Sequence, residues 1–277
     1  MIRLCKSDTE LSKVESHLQS NLDYISKWCT YNNMALHPQK TKCIILGSKQ
    51  KLRGDKHLTL KVNDNILENV RSQKVLGVYI DCNLSWHTHI DFVCKNLNNK
   101  ISLLKHNILY YLTDEMKQMF YNAYLVPIFD YCCTVWGKSN KNYINKVNNN
   151  LQKRAATLIL HKPVRTPTHG LFKQLKWLSF NDRCKYHTSI LVYKTLNNMA
   201  PLYMTDIVSF SKNDHYSLRS VKHNYLVLKK KPNTQFFKDS FSYYSVSIWN
   251  EIPCTIRNSP SIQSFKSLYR NYLFNKN

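Results

Sequence analysis

The acidic side chains are the first candidates for chemistry in this chain, and they are few and dispersed. The 277 residues include 17 Asp and Glu against 40 Lys and Arg. Chemistry that depends on two bound Mg²⁺ ions needs several carboxylates close together, yet no two aspartates are adjacent in this sequence. The single adjacent acidic pair, Asp114-Glu115, stands at a predicted helix start, where the helix dipole accounts for it. The sequence therefore predicts no catalytic residue, no metal site and no cofactor in this chain.

Two short patterns have metal-ligand spacing but lack the rest of a site. Cys184 and His187 have half of a zinc spacing, without a second ligand pair at a suitable distance. His89-Ile90-Asp91 has the His-x-Asp spacing found in iron sites made of two histidines and a carboxylate. Such an iron site rises from a β jelly roll, whereas this pattern lies on a predicted amphipathic helix. The helix is the favoured interpretation.

Basic residues dominate the chain and indicate its partner. The formal net charge is +23, and residues 151–277 hold 20 basic and 5 acidic side chains against 20 and 12 in residues 1–150. Lysines and arginines that neutralise phosphates release counterions, so such binding depends steeply on salt and little on base sequence. The composition favours RNA or DNA as partner over a merely basic surface.

Cysteine usage and hydropathy bear on the compartment. The nine cysteines are an odd number without a paired framework, which is typical of a reducing environment. No apolar run approaches the roughly 20 residues that span a membrane. We expect a nuclear or cytoplasmic protein that does not enter a membrane.

The residues before position 83 predict an α+β arrangement. Ser7 to Glu10 has the pattern of a capping box, and apolar residues then recur at helical spacing from Leu11 to Trp28. Short strands are predicted at Cys43–Leu46, at Leu58–Val62 with Ile66-Leu67, and at Val75–Ile80. The Asn63-Asp64-Asn65 stretch predicts a hairpin turn.

The remainder of the chain is predicted to be mainly helical. Apolar spacing predicts helices from Ile90 to Ile108, after Thr113, from Ile144 to Leu158, from Phe180 to Asn198 and from Ser261 to Phe274. His161–Gly170 contains Pro163, Pro167 and Gly170 and is the predicted linker. The predicted domains are residues 1–82, 83–162 and 163–277.

An ordered series of blocks resembles a known family. Met34-Ala35-Leu36-His37-Pro38-Gln39-Lys40-Thr41-Lys42, Leu76-Gly77-Val78-Tyr79-Ile80-Asp81, Leu84-Ser85-Trp86 and Tyr131-Cys132-Cys133-Thr134-Val135-Trp136-Gly137 occur in this order. Further blocks follow at Tyr216–Ser220, Trp249–Pro253 and Phe265-Lys266. The series resembles the reverse transcriptase (RNA-directed DNA polymerase) of LINE-type (non-LTR) retrotransposons, over residues 1 to about 274.

The resemblance implies a fold and identifies what is lacking. In that family two adjacent catalytic aspartates, which bind Mg²⁺, precede the first of these blocks; they have no counterpart here. The resemblance then implies a small palm remnant with the primer-grip strand over 1–82, a helical thumb-like bundle over 83–162, and a basic, aromatic, helical C-terminal region over 163–277. We expect the end of a polymerase whose metal-binding half is not in this chain, and that half is itself a candidate partner.

Candidate binding residues follow from the same comparison. By this resemblance Lys40 and Lys42 match basic positions near the incoming nucleotide, and solvated turn lysines are an equal alternative. Val75-Leu76-Gly77-Val78 matches the primer-grip strand, and a plain buried strand with a bulge is an equal alternative. The helical region matches the thumb, which holds the primer–template duplex by its backbone. Its available cations are Lys95, Lys100, Lys105, Lys138, Lys141, Lys146, Lys153 and Arg154. Lys229, Lys230 and Lys231, beside Phe236, Phe237, Phe241, Tyr243 and Tyr244, could bind a single strand or belong to an aromatic core.

The leading hypothesis is a retrotransposon reverse-transcriptase fragment that binds nucleic acid without sequence specificity and does not polymerise alone. The alternative is an inert or host-adopted fragment whose exposed helices make protein contacts, which an exposed apolar face would favour. A remote alternative rests on Leu84–Leu112, since similar stretches accompany AlkB-type dioxygenases.

Overall fold

The chain folds into helices with a few short strands, an α+β structure that separates into two compact units. The computed structural model describes residues 3–54, 56–103, 105, 111–207, 209–210, 225–228 and 231–276. Unit 1 is Met1–His89 and unit 2 is Ile90–Asn277.

Unit 1 combines one long helix with short strand pairs. Its elements are α1 (Leu11–Tyr31), a 3₁₀ turn (Pro38–Lys40), β1 (Lys42–Cys43), β2 (Lys61–Val62), β3 (Asn65–Ile66), β4 (Glu68–Asn69), β5 (Ser72–Val75) and β6 (Val78–Asp81). β1 pairs with β4 in parallel, while β2 with β3 and β5 with β6 are antiparallel hairpins. The core between α1 and the strands contains Leu22, Cys43, Leu58, Leu60, Val62 and Leu67.

The predicted helix is confirmed in α1, but its start and its buried face differ from the prediction. The first helical residue is Leu11, so Ser7 lies outside and cannot cap it. Instead, Asp8 Oδ1 accepts hydrogen bonds from the Thr9 and Glu10 backbone N–H groups. Trp28 is 49% exposed, and Cys29 takes the buried position at that end of the helix.

One predicted strand is wrong, because Val75–Ile80 is not continuous. Leu76 and Gly77 have positive φ angles of 47° and 84° and turn the chain back, so that Val75 pairs with Val78. Two successive residues of this conformation form the tight turn whose twist matches a hairpin. The hairpin predicted at Asn63 is confirmed, with Asn63 and Asp64 at positive φ. The predicted strand Cys43–Leu46 is represented only by Lys42–Cys43.

Unit 2 is almost entirely helical over its described residues. Its elements are α2 (His87–Leu103, which begins in unit 1), α3 (Asp114–Phe120), a π-helical turn (Tyr121–Leu125), α4 (Val126–Asp130), α5 (Cys133–Trp136), α6 (Lys141–Asn145), a π-helical segment (Lys146–Gln152), α7 (Lys153–Ile159), α8 (Thr168–Leu175), α9 (Phe180–Leu196), a 3₁₀ turn (Leu202–Met204), β7 (Ser209–Phe210), β8 (Leu226–Val227), α10 (Gln235–Asp239), α11 (Phe241–Glu251), α12 (Cys254–Arg257) and α13 (Ile262–Lys276). The helices predicted from Ile90, Thr113, Ile144, Phe180 and Ser261 are confirmed over their described residues.

Local chemistry explains several of these boundaries. Thr113 Oγ1 accepts from the Met116 backbone N–H at the start of α3, and Ser179 Oγ does the same for Asp182 in α9. Such caps satisfy backbone donors that have no partner in the first turn. Pro127 has no N–H to continue the hydrogen-bond ladder, and the π-helical turn lies just before it.

The buried amide of Gln152 joins residues on the two sides of the predicted linker 161–170. Gln152, fully buried, donates from Nε2 to the Tyr121 hydroxyl at 3.0 Å and to the Leu178 carbonyl at 2.8 Å. Its Oε1 accepts from the Phe180 backbone N–H at 2.9 Å. These bonds join the helices before the linker to the start of α9. The division into compact units falls at His89–Ile90, and the predicted domains 1–82, 83–162 and 163–277 stay a prediction.

The C-terminal part of unit 2 has its own apolar core. Tyr193 and Trp249 both stack on Phe265, which is fully buried. Aromatic pairs of this kind add stability beyond the area they bury. The other members of this core are Leu178, Val192, Leu226, Val246, Ile252, Ile256, Tyr269 and Leu273.

None of the helices in the described ranges is long and apolar enough to cross a membrane. All nine cysteines are free thiols.

Candidate nucleic-acid interface

Two hydrogen bonds join α2 to the continuous helical stretch formed by the π-helical segment Lys146–Gln152 and α7. Lys146 Nζ donates to Asp91 Oδ1 at 2.9 Å, and Arg154 Nη1 donates to Asn98 Oδ1 at 3.1 Å. Asp91 and Asn98 are seven residues apart on α2, so they share one face with Lys95 between them. We define Lys95, Lys146 and Arg154 as the basic ridge.

The ridge presents charge to solvent over roughly 10 Å of helix length, from seven residues at about 1.5 Å each. All three side chains are exposed. Asp91 offsets the charge of Lys146 and raises its pKa, first through their hydrogen bond. Arg154 bonds a neutral amide, and within the described ranges neither it nor Lys95 forms an ion pair. Lys95 and Arg154 therefore carry the uncompensated charge.

The other predicted thumb cations lie in different surroundings. Lys100 Nζ lies over the Tyr124 ring at 5.3 Å, and Lys138 Nζ over the Tyr244 ring at 4.7 Å. Lys105 is exposed and Lys153 half-buried. The side chain of Lys141 lies outside the described residues.

The predicted single-strand site is described only in part, because Lys229 and Lys230 lie outside the described residues. Lys231 is exposed, as is Phe236. Four aromatic residues of that site are half-buried along α10 and α11, namely Phe237, Phe241, Tyr243 and Tyr244.

The predicted primer-grip residues form the β5–β6 turn. Gly77 stands where φ is positive, a conformation that L residues adopt at a cost, so turn geometry alone accounts for this glycine. Leu76 is 73% exposed at the tip, while Val78 is buried. On the neighbouring 3₁₀ turn and strand, Lys40 is exposed, and Lys42 forms an ion pair with its strand partner Glu68.

Asp81 fixes the connection from β6 into α2. Its Oδ1 accepts from the backbone N–H groups of Asn83 at 3.1 Å and Ser85 at 2.9 Å, and its Oδ2 accepts from Trp86 at 2.8 Å. Each carboxylate oxygen thus holds the loop in place before the helix begins. The matched block Leu84-Ser85-Trp86 is therefore a set of positions around one buried carboxylate.

His89 is buried, and its surroundings favour the neutral ring. Its Nδ1 lies 3.4 Å from the Tyr79 backbone N–H. Burial, with a smaller contribution from the charge of Lys74, lowers the pKa of His89 to about 4. Asp91, the other member of the His-x-Asp pattern, accepts from Lys146. Both side chains have protein partners, which favours the helical interpretation of this pattern over an iron site.

The His89 pKa predicts a pH dependence of stability. Between its ordinary pKa near 6.5 and its folded pKa near 4, the unfolded chain binds a proton that the folded chain does not. The contribution of neutral His89 to the free energy of unfolding is therefore fully present above about pH 6.5 and is lost as the pH falls towards 4. Between pH 7 and pH 4.5, we expect the free energy of unfolding to fall by about 2 kcal/mol more in wild type than in His89→Gln. This is less than the whole pKa shift would give, because solvent screens the charge of the exposed Lys74. Urea unfolding at both pH values measures this difference, and parallel losses in the two proteins would contradict it.

A second polar cluster lies inside unit 2, where α4, α5 and α9 meet. Arg183 Nε donates to Asp130 Oδ1 at 2.7 Å, and its Nη2 donates to Oδ2. His187 Nε2 lies 3.1 Å from the same Oδ2. Burial alone would raise the pKa of Asp130, but the hydrogen bonds from His187 and Arg183 and the Arg183 charge outweigh it, so the pKa is lowered.

The ligand types of a metal site also meet in this cluster. One ligand atom each of Asp130, Cys133 and His187 lie within 4.8 Å of one another. The Arg183 guanidinium already occupies both carboxylate oxygens, and a dication would have to displace its two bonds and sit beside its charge. The arrangement is that of an interior ion pair, which joins the end of α4 to α9.

The sequence did not predict the structural roles of Asp81, Asp130 and Arg183. Asp81 had a local signal, since an aspartate followed by Asn83 and Ser85 is typical of a side-chain-capped turn. Asp130 and Arg183 are 53 residues apart, and no local pattern joins them.

Comparison of the chain with protein-family models, curated proteins and solved structures gave no match.

Proposed function

We propose that this chain is the downstream part of a LINE-type retrotransposon reverse transcriptase, which binds nucleic acid through phosphate contacts and does not polymerise alone. The ordered sequence blocks support this origin. In this assignment unit 1 carries the palm remnant with the primer-grip hairpin, and the helices from α2 to α7 are the thumb. Because the chain has no adjacent aspartates, it lacks the carboxylates that would hold two Mg²⁺ ions.

The basic ridge is the observation that carries the binding proposal. Lys95 and Arg154 place positive charge on one side of neighbouring helices, with a hydrogen bond to Asn98 fixing Arg154. The two uncompensated cations match about two phosphates of a duplex, whose charges recur every 3.4 Å of helix axis on each strand. Backbone contacts of this type position a duplex without specifying its sequence.

The ridge predicts a defined salt dependence. We expect Lys95→Gln/Arg154→Gln to weaken binding to a labelled primer–template duplex about tenfold in low salt. The slope of log K against log salt should become shallower by about 1.8, since each neutralised duplex phosphate contributes about 0.9. Fluorescence anisotropy across a salt series measures both quantities. Primer extension with Mg²⁺ and all four nucleotides should give no product.

The matched control is Lys27→Gln/Lys51→Gln, which removes the same charge from exposed positions of unit 1. Equal losses in the two double variants would assign binding to net charge and contradict the ridge. Extension of the primer would contradict the proposed lack of polymerisation.

A protein-contact function is the second candidate, and a stripe on α1 favours it. Tyr24, Trp28 and Tyr31 follow one another at helical spacing and are 72%, 49% and 88% exposed. Exposed aromatic groups of this extent mark interaction surfaces. A missing polymerase half or another protein could cover them. Failure of wild type to bind the duplex even in low salt would favour this candidate.

A further inference from the structure

A groove on unit 2 lies outside the basic ridge and contains none of the predicted binding residues. It has a volume of about 590 Å³, within the roughly 300–1,000 Å³ of typical small-ligand sites. One wall is a face of α13, and the other contains Lys176, which follows α8, and Tyr186 of α9. The α13 wall consists of Gln263, Lys266, Ser267, Arg270, Asn271 and Phe274.

The helical period explains why α13 can form this wall. Gln263, Lys266 and Arg270 recur at spacings of three and four, so they project from one face of the helix. Phe265 and Tyr269 belong to the opposite face and are buried in the C-terminal core. The core thus fixes the rotation of the helix and directs its polar face into the groove.

The lining is basic and contains no acidic residue. Its cations are Lys176, Lys266 and Arg270, and within the part of the chain described here none of them forms an ion pair. Arg270 Nη2 lies 3.5 Å from the Lys176 carbonyl, so the two walls approach each other at these cations. A guanidinium has five N–H donors, and this contact leaves most of them for a ligand.

Aromatic and amide groups complete the lining. Phe274 and Tyr186 are half-buried, so each keeps part of a ring accessible. Tyr186 stacks on Tyr269 at 6.4 Å between ring centroids, which holds its ring in place. Burial raises the pKa of Tyr186 despite the nearby Arg270 charge, so its hydroxyl stays protonated and can donate. Gln263 and Asn271 add amide groups that can meet base edges.

We propose that this groove binds single-stranded nucleic acid, with Lys176, Lys266 and Arg270 on the phosphates and a base against Phe274. Cations beside aromatic faces are the combination by which proteins hold single strands without sequence preference. An acidic peptide would use the cations but would gain little from the rings. The inference deepens the proposed function, since a nucleic-acid partner is its premise, and it adds a site for the unpaired strand that is separate from the basic ridge.

The test compares two double variants with the full chain. Lys266→Gln/Arg270→Gln removes two groove charges from α13, and Lys173→Gln/Lys276→Gln removes two exposed charges from α8 and α13 outside the lining. The probe is a labelled oligo(dT) strand, measured by anisotropy across a salt series. We expect the groove variant to lose about tenfold in affinity and about 1.4 in salt slope, at about 0.7 per single-strand phosphate. The affinity of Lys173→Gln/Lys276→Gln for oligo(dT) should fall by less than about threefold.

Two further measurements separate the interpretations. Phe274→Leu keeps the apolar contact but removes the ring, and should weaken oligo(dT) binding about threefold. Poly-glutamate should compete poorly for the groove. Equal losses in the two double variants, or displacement by poly-glutamate as effective as by unlabelled oligo(dT), would overturn the single-strand site.

The groove and the ridge can fail separately. If Lys95→Gln/Arg154→Gln leaves duplex binding unchanged while the groove variant weakens oligo(dT) binding, the ridge proposal fails and the groove stands. If the ridge variant weakens duplex binding and the groove variant affects neither probe, the groove proposal fails alone.

Discussion

Asp130→Asn is expected to lower the free energy of unfolding by about 3 kcal/mol, at the lower end of the roughly 3–5 kcal/mol measured for breaking buried ion pairs. Asparagine keeps the shape of the side chain but removes its charge. Arg183 would then remain largely buried with a single neutral acceptor in place of a carboxylate fork. Because about a fifth of each side chain is exposed, water recovers part of the loss. Urea unfolding of wild type and variant near pH 7 measures the difference.

Asp91→Asn is the matched control for this substitution. Asp91 also pairs with a cation, Lys146, but both side chains are nearly half exposed. Ion pairs of that kind contribute about 0–1 kcal/mol. A loss at Asp130 no larger than the loss at Asp91 would show that the interior pair is not a structural link between α4 and α9.

The pH dependence gives a second, independent check on Asp130. Its pKa is lowered in the folded state, so its contribution is complete above the ordinary carboxyl pKa and is lost as pH falls through the folded value. The difference between wild type and Asp130→Asn should therefore persist at pH 5 and shrink only below about pH 4. A difference that is already lost at pH 5 would contradict a stabilising role of the Asp130 carboxylate.

The regular helices were predictable because their signals are local. Apolar residues three and four apart define α1, α9 and α13, and Thr113 followed by Asp114 marks the start of α3. The hairpin at Asn63 was predictable for the same reason, since asparagine and aspartate accept positive φ. In each case the residues that determine the element lie within the element.

The misassigned strand shows where local signals fail. Leu76 adopts positive φ against its intrinsic preference, so alternation of apolar residues suggested one strand through it. Gly77 is the remaining local signal for a turn, but both interpretations drawn from the sequence, a close approach of nucleic acid and a buried strand with a bulge, place it in a strand. The β5–β6 pairing compensates for the strain at Leu76, and a pairing across the turn is not visible in a window of six residues.

The candidate sites depend on longer distances still. The sequence predicted the cations of the basic ridge only as members of a larger set. Two hydrogen bonds, between residues 55 and 56 positions apart in the chain, bring Lys146 and Arg154 to the same face as Lys95. The groove brings Lys176 next to Arg270, 94 positions away. Composition predicted that cations would be available, whereas only the packing of α13 on α9 determines which of them share a surface.

Gly137→Ala is expected to destabilise unit 2 by about 3 kcal/mol, and the reason is space, not backbone conformation. Gly137 has an ordinary φ of −70°, so alanine suits its backbone. A Cβ there would lie well inside van der Waals contact with the Cys133 carbonyl oxygen and the Cys184 Sγ. The carbonyl is held by its hydrogen bond to Gly137 N–H at 2.8 Å, and the Cys184 thiol is buried. Neither can withdraw without moving α5 from α9, and overpacking of this kind costs about 1–3 kcal/mol or more.

Gly170→Ala provides the opposite expectation with the same chemical change. Gly170 lies in α8, and a Cβ there would meet nothing within 4 Å. Alanine in a helix is favoured over glycine by up to about 1 kcal/mol, so this variant should be slightly more stable than wild type. The free energies of unfolding of Gly137→Ala and Gly170→Ala, measured by thermal and urea unfolding, should then differ by about 4 kcal/mol. Equal stabilities would mean that the contact of Gly137 with Cys133 and Cys184 is loose enough to admit a methyl group. In that case the glycine of the Tyr131–Gly137 block would have no packing explanation, and its place in the family resemblance would need another one.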